Sequence, residues 1–169
     1  ANCAALAESI MGAAKGADPL VYVTISTGIG CGIIVNGKIL SGAFSSAGEL
    51  GHLTVVPNGR ECPCGKKGCL ELYSSGTAIA KDATKLQGVK TDAKEAFSLA
   101  RGGDEGMKDI IINASEKLGL ALSSVYHLLD PEVIVLGGSV TKDYDDFAET
   151  LQKSLQAHTQ PLEGRKFNL

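Results

Sequence analysis

The residues best equipped for chemistry lie between Gly48 and Glu71, in the run GELGHLTVVPNGRECPCGKKGCLE. His52 is followed by Cys62, Cys64 and Cys69, a spacing of H-x9-C-x-C-x4-C. One imidazole and three thiolates make a complete tetrahedral ligand set for a structural zinc ion. Pro63, Gly65 and Gly68 suit a tight knuckle that turns the sulfurs inward. The rival readings are disulfides or free thiols. Cys62 and Cys64 are too close in sequence to bridge comfortably, and five cysteines leave one over. Four protein ligands close a site, so the metal would hold the loop and would not activate water. Two carboxylates flank the cluster, Glu49 three residues before the histidine and Glu71 two after the last cysteine. They are either spare or aimed at another ligand.

These groups need a scaffold, and composition allows one. A chain of 169 residues with 44% hydrophobic and 21% charged residues can build one domain with a sizeable core. A net charge of -3 gives no basic footprint for nucleic acid. No apolar run approaches the roughly 20 residues that span a bilayer, and no signal peptide opens the chain. Thiols in a zinc-type array fit a reducing, cytoplasmic setting.

The order of elements reads as α/β. A helix is expected from about Asn2 to about Ala14, then strands over LVYVTIS, CGIIV and KILSG. Asn36-Gly37 between the last two is a type I′ hairpin signal. Ser26 to Gly30 (STGIG) is a glycine-rich connection that either lets backbone N–H groups approach a phosphate or is a plain tight turn. HLTVV (52–56) reads as a further strand. A helix follows Ser75 or Gly76, with Ile79, Ala83 and Leu86 on one face and Gly88 closing it. A short helix runs from Thr91 or Asp92 to Gly102. Asp104 caps a long one that presents Ile111, Ser115, Leu118, Leu122, Val125 and Leu129 on one face and stops at Asp130-Pro131. EVIVLGGSV reads as a central, parallel strand running into Gly137-Gly138. YDDFAETLQKSLQAH is the last helix, ended by Pro161, and KFNL begins another strand. His127 and His158 read as structural or surface groups.

The G-E-L-G-H run, C-x-C-G-x2-G-C-x-E, the T-G-I-G-x-G hairpin and L-G-G-S together resemble the ROK family of sugar kinases and related repressors. The resemblance covers nearly the whole chain and implies an actin-like, ribonuclease-H-like ATPase lobe, a mixed sheet with flanking helices and a zinc knuckle. It places Glu49, His52 and Glu71 at the sugar pocket, and His52, Cys62, Cys64 and Cys69 at the zinc. Thr27, Gly28 and Gly30 match the second phosphate loop, and Gly137 and Gly138 the adenosine loop; Ser26 stands where the family often has Gly. The catalytic aspartate of N-D-x-N-A would sit immediately before Ala1. Residues 1–169 are therefore expected to be a single domain, the C-terminal lobe of a two-lobe kinase cut at both ends.

The resemblance implies a hexose and ATP as partners, Mg²⁺ with the nucleotide, and a homo-oligomer. Glucokinase activity is the first expectation. The alternatives are an N-acetylmannosamine kinase, a sugar-responsive repressor that binds nucleic acid through an upstream helix-turn-helix, or a zinc-stabilised interaction domain without catalysis.

Overall fold

The computed structural model describes residues 1–160, the side chains of residues 143, 144 and 146 excepted. Four strands form one mixed sheet in the order β3-β2-β1-β4. β1 (Leu20–Ile25) and β2 (Ile29–Val35) are an antiparallel pair in which Leu20 faces Ile34 and Ile25 faces Ile29. β3 (Lys38–Ile39) returns antiparallel to β2, and β4 (Val133–Gly137) lies parallel to β1. The β2–β3 turn has positive φ at both Asn36 and Gly37, the type I′ geometry, and the Asp18 carboxylate accepts both of their N–H groups at 2.8 Å.

Strand alternation divides the apolar residues between two faces. Val21, Val23, Ile25, Ile29, Cys31 and Ile33 look onto the main core, which the long helix α5 (Glu105–Leu129) supplies with Met107, Ile111, Leu118 and Leu122. Leu20, Tyr22 and Ile34 look the other way and meet Ala5 of α1 (Asn2–Met11). Gly32 permits that approach: a Cβ there would stand 2.8 Å from Ala5 Cβ and 2.9 Å from the Ala1 carbonyl oxygen. The remaining helices cover the first face: α2 (Glu71–Ser74), α3 (Gly76–Gln87), α4 (Ala93–Arg101), α5 (Glu105–Leu129) and α6 (Tyr144–His158). Ser75, Asp92 and Asp104 cap α3, α4 and α5 through bonds from the third N–H. Among the described residues no helix is long and apolar enough to cross a membrane.

Several expectations are corrected. α1 stops at Met11, before Ala14, because Gly12 is extended and the Glu8 carboxylate takes the Ala13 N–H at 2.8 Å. HLTVV is not a strand. Leu50–His52 is a 3-10 turn, and the residues after it pair locally with 68–70 through Val55 N–H to Gly68 O and Leu70 N–H to Leu53 O, both 2.9 Å. β-Branched residues were the signal there, but the return limb of the knuckle is their partner, not the sheet. KILSG is a strand only over Lys38–Ile39, with one further bond from the Leu40 N–H to the Ile33 carbonyl at 2.9 Å. β4 is parallel, yet among the described residues it is an edge strand, and only Ile134 of it is fully buried. Leu86 is 52% exposed, off the buried face that Ile79 and Ala83 share. Pro161 and KFNL lie outside the described residues. His127 and His158 have structural partners: Nε2 of the first accepts the Gln160 N–H at 3.0 Å, and Nδ1 of the second meets the Ser154 carbonyl at 2.8 Å.

Candidate functional site

The knuckle brings its four predicted ligands together. The donor atoms of His52, Cys62, Cys64 and Cys69 all lie within 4.8 Å of one another. Cys64 Sγ is 3.6 Å from Cys69 Sγ, and Cys62 Sγ is 3.7 Å from His52 Nδ1. Tetrahedral zinc with sulfur ligands at about 2.3 Å would separate two sulfurs by about 3.8 Å and a sulfur from a nitrogen by about 3.5 Å. The cradle is therefore sized for a metal such as zinc. Burial, reinforced by the neighbouring sulfurs, pushes the Cys69 thiol up to about 12. The Lys66 backbone N–H and then Cys62 pull exposed Cys64 below the ordinary thiol range. All three sulfurs could be ionised together only around a cation that balances their charge. Nδ1 of His52 is turned to the cluster, so a metal bound there would leave Nε2–H as a donor on the far edge of the ring.

Bonds independent of any metal clip the knuckle to the helices. The Arg60 guanidinium donates to the Leu72 carbonyl at 2.7 Å and to Asp82 at 2.8 Å, and lies 4.7 Å above the Tyr73 ring. Lys66 Nζ donates to the His52 carbonyl at 2.7 Å.

The two flanking glutamates are organised around the first residues of β2. Gly48 has φ +86°, and a Cβ there would stand 2.6 Å from the Cys31 carbonyl oxygen; one on Gly51 would overlap the Ile29 carbonyl oxygen. These two glycines lay the Glu49–His52 turn flat along β2. Glu49 is exposed and, with His52 and Lys66, edges a cleft of about 410 Å³ whose wall includes Cys31, Val125 and Leu129. Burial pushes the Cys31 thiol up to about 12, which makes it an inert wall. Glu71 opens α2 and reaches β2 from the other limb of the knuckle, where its Oε2 accepts the Ile29 N–H at 2.9 Å.

A second cleft, of about 550 Å³, lies where the loop after β1 meets the loop after β4. Ser26 and Thr27 line it from one side and Ser139 from the other, with the two serine hydroxyls 3.1 Å apart. The N-terminus of α3 enters beside them, and Gly76 N–H donates to the Ser26 carbonyl at 2.7 Å. Hydroxyls and a helix N-terminus converging on one cleft suit a phosphate-bearing ligand. Of the glycines expected here, Gly28 faces Glu71, Gly30 pairs with Thr24 inside the hairpin, Gly137 packs on Tyr22, and Gly138 on the Ile25 carbonyl. None of the four lines the cleft; they bring backbones close together. Gly76, Thr77, Lys94, Ser139 and Lys142, which do line it, were not singled out from sequence. The Ser75 cap ahead of Gly76-Thr77 was a readable signal for a helix N-terminus; the two lysines gave none.

Residues 1–166 match the ROK family. The glucokinase of Halalkalibacterium halodurans is 37% identical over 187 aligned positions, spanning 100% of this chain and 56% of that protein. The xylose repressor of Bacillus subtilis is 31% identical across 100% of this chain and 44% of its own length. In three dimensions, a ROK family glucokinase from Streptomyces griseus, solved in complex with glucose and AMPPNP, superposes with a TM-score of 0.86 at 31% identity, covering 99% of this chain and 59% of that one. The chain thus spans about half the length of the curated relatives it matches. The mixed sheet with flanking helices is the actin-like, ribonuclease-H-like arrangement of the ROK kinase structures. The family match over residues 1–166, with relatives at 31–37% identity across the whole chain, places this chain in the ROK family.

Proposed function

We propose that residues 1–169 are the C-terminal lobe of an ATP-dependent hexose kinase, with glucose as the first substrate to test. The observation that carries this reading is the convergence on the start of β2. Glu49 and His52 are laid along it from one limb of the knuckle, and Glu71 is tied to Ile29 from the other. Carboxylates accept from sugar hydroxyls, and with Nδ1 on the metal the His52 Nε2–H donates to one. In the knuckle, zinc held by His52, Cys62, Cys64 and Cys69 fixes both limbs, so the two glutamates are oriented together before sugar arrives.

The nucleotide takes the cleft beside Thr27 and Ser139, with its phosphates at the α3 N-terminus and Mg²⁺ sharing their charge. Thr27 lines that cleft, and Gly30, Gly137 and Gly138 hold the strands that carry it. The proton of the sugar hydroxyl goes to an aspartate assigned to the position immediately before Ala1. The start of α1 supports that assignment, since Ala1 stands against Gly30 and Gly32 near the phosphate turn.

A sugar-responsive repressor is the second reading, favoured by the full-length coverage of this chain by the xylose repressor. A coupled assay of the full-length protein with ATP and glucose, mannose, N-acetylmannosamine, fructose or xylose separates them. Phosphorylation of a hexose supports the kinase. Sugar binding without turnover, with DNA binding that the sugar relieves, supports the repressor.

A further inference from the structure

Gly28 sits in the turn that a phosphate would approach, so the simple reading makes it a nucleotide residue. The structure gives it a different neighbour. A Cβ at position 28 would stand 2.5 Å from Glu71 Oε2 and 3.2 Å from its Cδ. Gly28 is not in the left-handed region, so its backbone alone would accept alanine. The carboxylate is what occupies the space. It is also fixed there, because the next residue, Ile29, donates its N–H to the same Oε2 at 2.9 Å. The Gly28 carbonyl in turn accepts the Ser26 N–H at 2.9 Å, which ties this corner to the residue lining the second cleft. Among the described residues Oε2 carries the only hydrogen bond of this carboxylate, so Oε1 is left for a ligand hydroxyl.

We propose that Gly28 is a positioning residue for the hexose: its missing side chain seats the Glu71 carboxylate against the Ile29 amide, so that a substitution at 28 weakens sugar binding before nucleotide binding. The proposal rests on the hexose-kinase reading for the identity of the ligand, but the Gly28–Glu71 contact does not.

The test is a set of three variants of the full-length protein, Gly28→Ala, Glu71→Ala and the double, titrated calorimetrically with glucose and with AMPPNP. Gly28→Ala is expected to raise the glucose Kd about 10-fold or more, the loss of one well-aimed acceptor, and to leave the AMPPNP Kd within about 3-fold. The double variant should bind glucose no more weakly than Glu71→Ala alone, because the cost of the methyl vanishes with the carboxylate. A raised AMPPNP Kd with unchanged glucose affinity would overturn the proposal, as would additive losses in the double. Thermal unfolding supplies a readout that needs no sugar. Gly28→Ala should lower the midpoint in the native background and not in Glu71→Ala, and equal losses in both would overturn it. If the unsubstituted protein binds no glucose, the hexose reading fails, and the unfolding cycle still decides whether Gly28 is there for Glu71.

Discussion

Removing the metal from the knuckle should loosen one loop without unfolding the domain, and the structure sets the size of the effect. Most of the main core, from Val21 to Leu155, is assembled by the sheet and α3 to α6, and Leu50 and Val55 join it from the knuckle. Arg60 keeps its bonds to Leu72 and Asp82 whether or not a metal is present. The limb that the cluster helps to hold carries Leu50 and Val55, each 8% exposed. Releasing two such side chains costs about 3–6 kcal/mol at ~1.5–3 kcal/mol apiece. That is a large part of the roughly 5–15 kcal/mol that stabilises a typical domain. At ~2–4 °C per kcal/mol, the unfolding midpoint should fall on the order of 10 °C. Differential scanning calorimetry of the purified protein with and without a strong chelator measures it, with elemental analysis showing about one equivalent of zinc before treatment. A chelated protein that melts within about 1 °C of the untreated one, with no zinc found in either, would refute the argument that this sulfur cluster is a metal site.

Other outcomes follow from the same geometry. In this chain, iodoacetamide at neutral pH should label exposed Cys3 first, and chelation should add exposed Cys64, whose thiol is already lowered, while buried Cys31, raised to about 12, stays unlabelled until denaturation; mass spectrometry reads this, and equal Cys64 labelling with and without metal would count against coordination. Residues 1–169 expressed alone should show no hexose phosphorylation in a coupled assay, since losing a general base costs about 10²–10⁴ in rate and losing the facing lobe removes positioning as well. Robust turnover by that fragment would move the base to a residue within it, with Glu49 and Glu71 the first to examine.

What could be read from the residues was whatever depends on near neighbours. The four ligands announce themselves because their chemistry is fixed by type and short spacing, and the Asn36-Gly37 turn because two positive φ values demand such residues. The caps at Ser75, Asp92 and Asp104 are equally local. What depends on distant partners was misread. The 52–56 segment looked like a strand because β-branched residues report a pleated, half-buried surface without saying which surface. β4 looked central, yet among the described residues a neighbour lies on one side only. Gly28 reads as a phosphate-loop glycine from its motif, and the contact that crowds it comes from Glu71, 43 positions away. No window of sequence holds both ends of that contact.

The central claim is that Glu49, His52 and Glu71 form a hexose pocket at the start of β2. Calorimetric titration of the full-length protein with glucose, comparing the native form with Glu49→Gln, tests it most directly. Replacing one charge-assisted acceptor worth about 1.5–3 kcal/mol should weaken glucose binding by about 10- to 150-fold, with AMPPNP binding unchanged. Equal glucose affinity in the two proteins would place the sugar elsewhere and contradict the account.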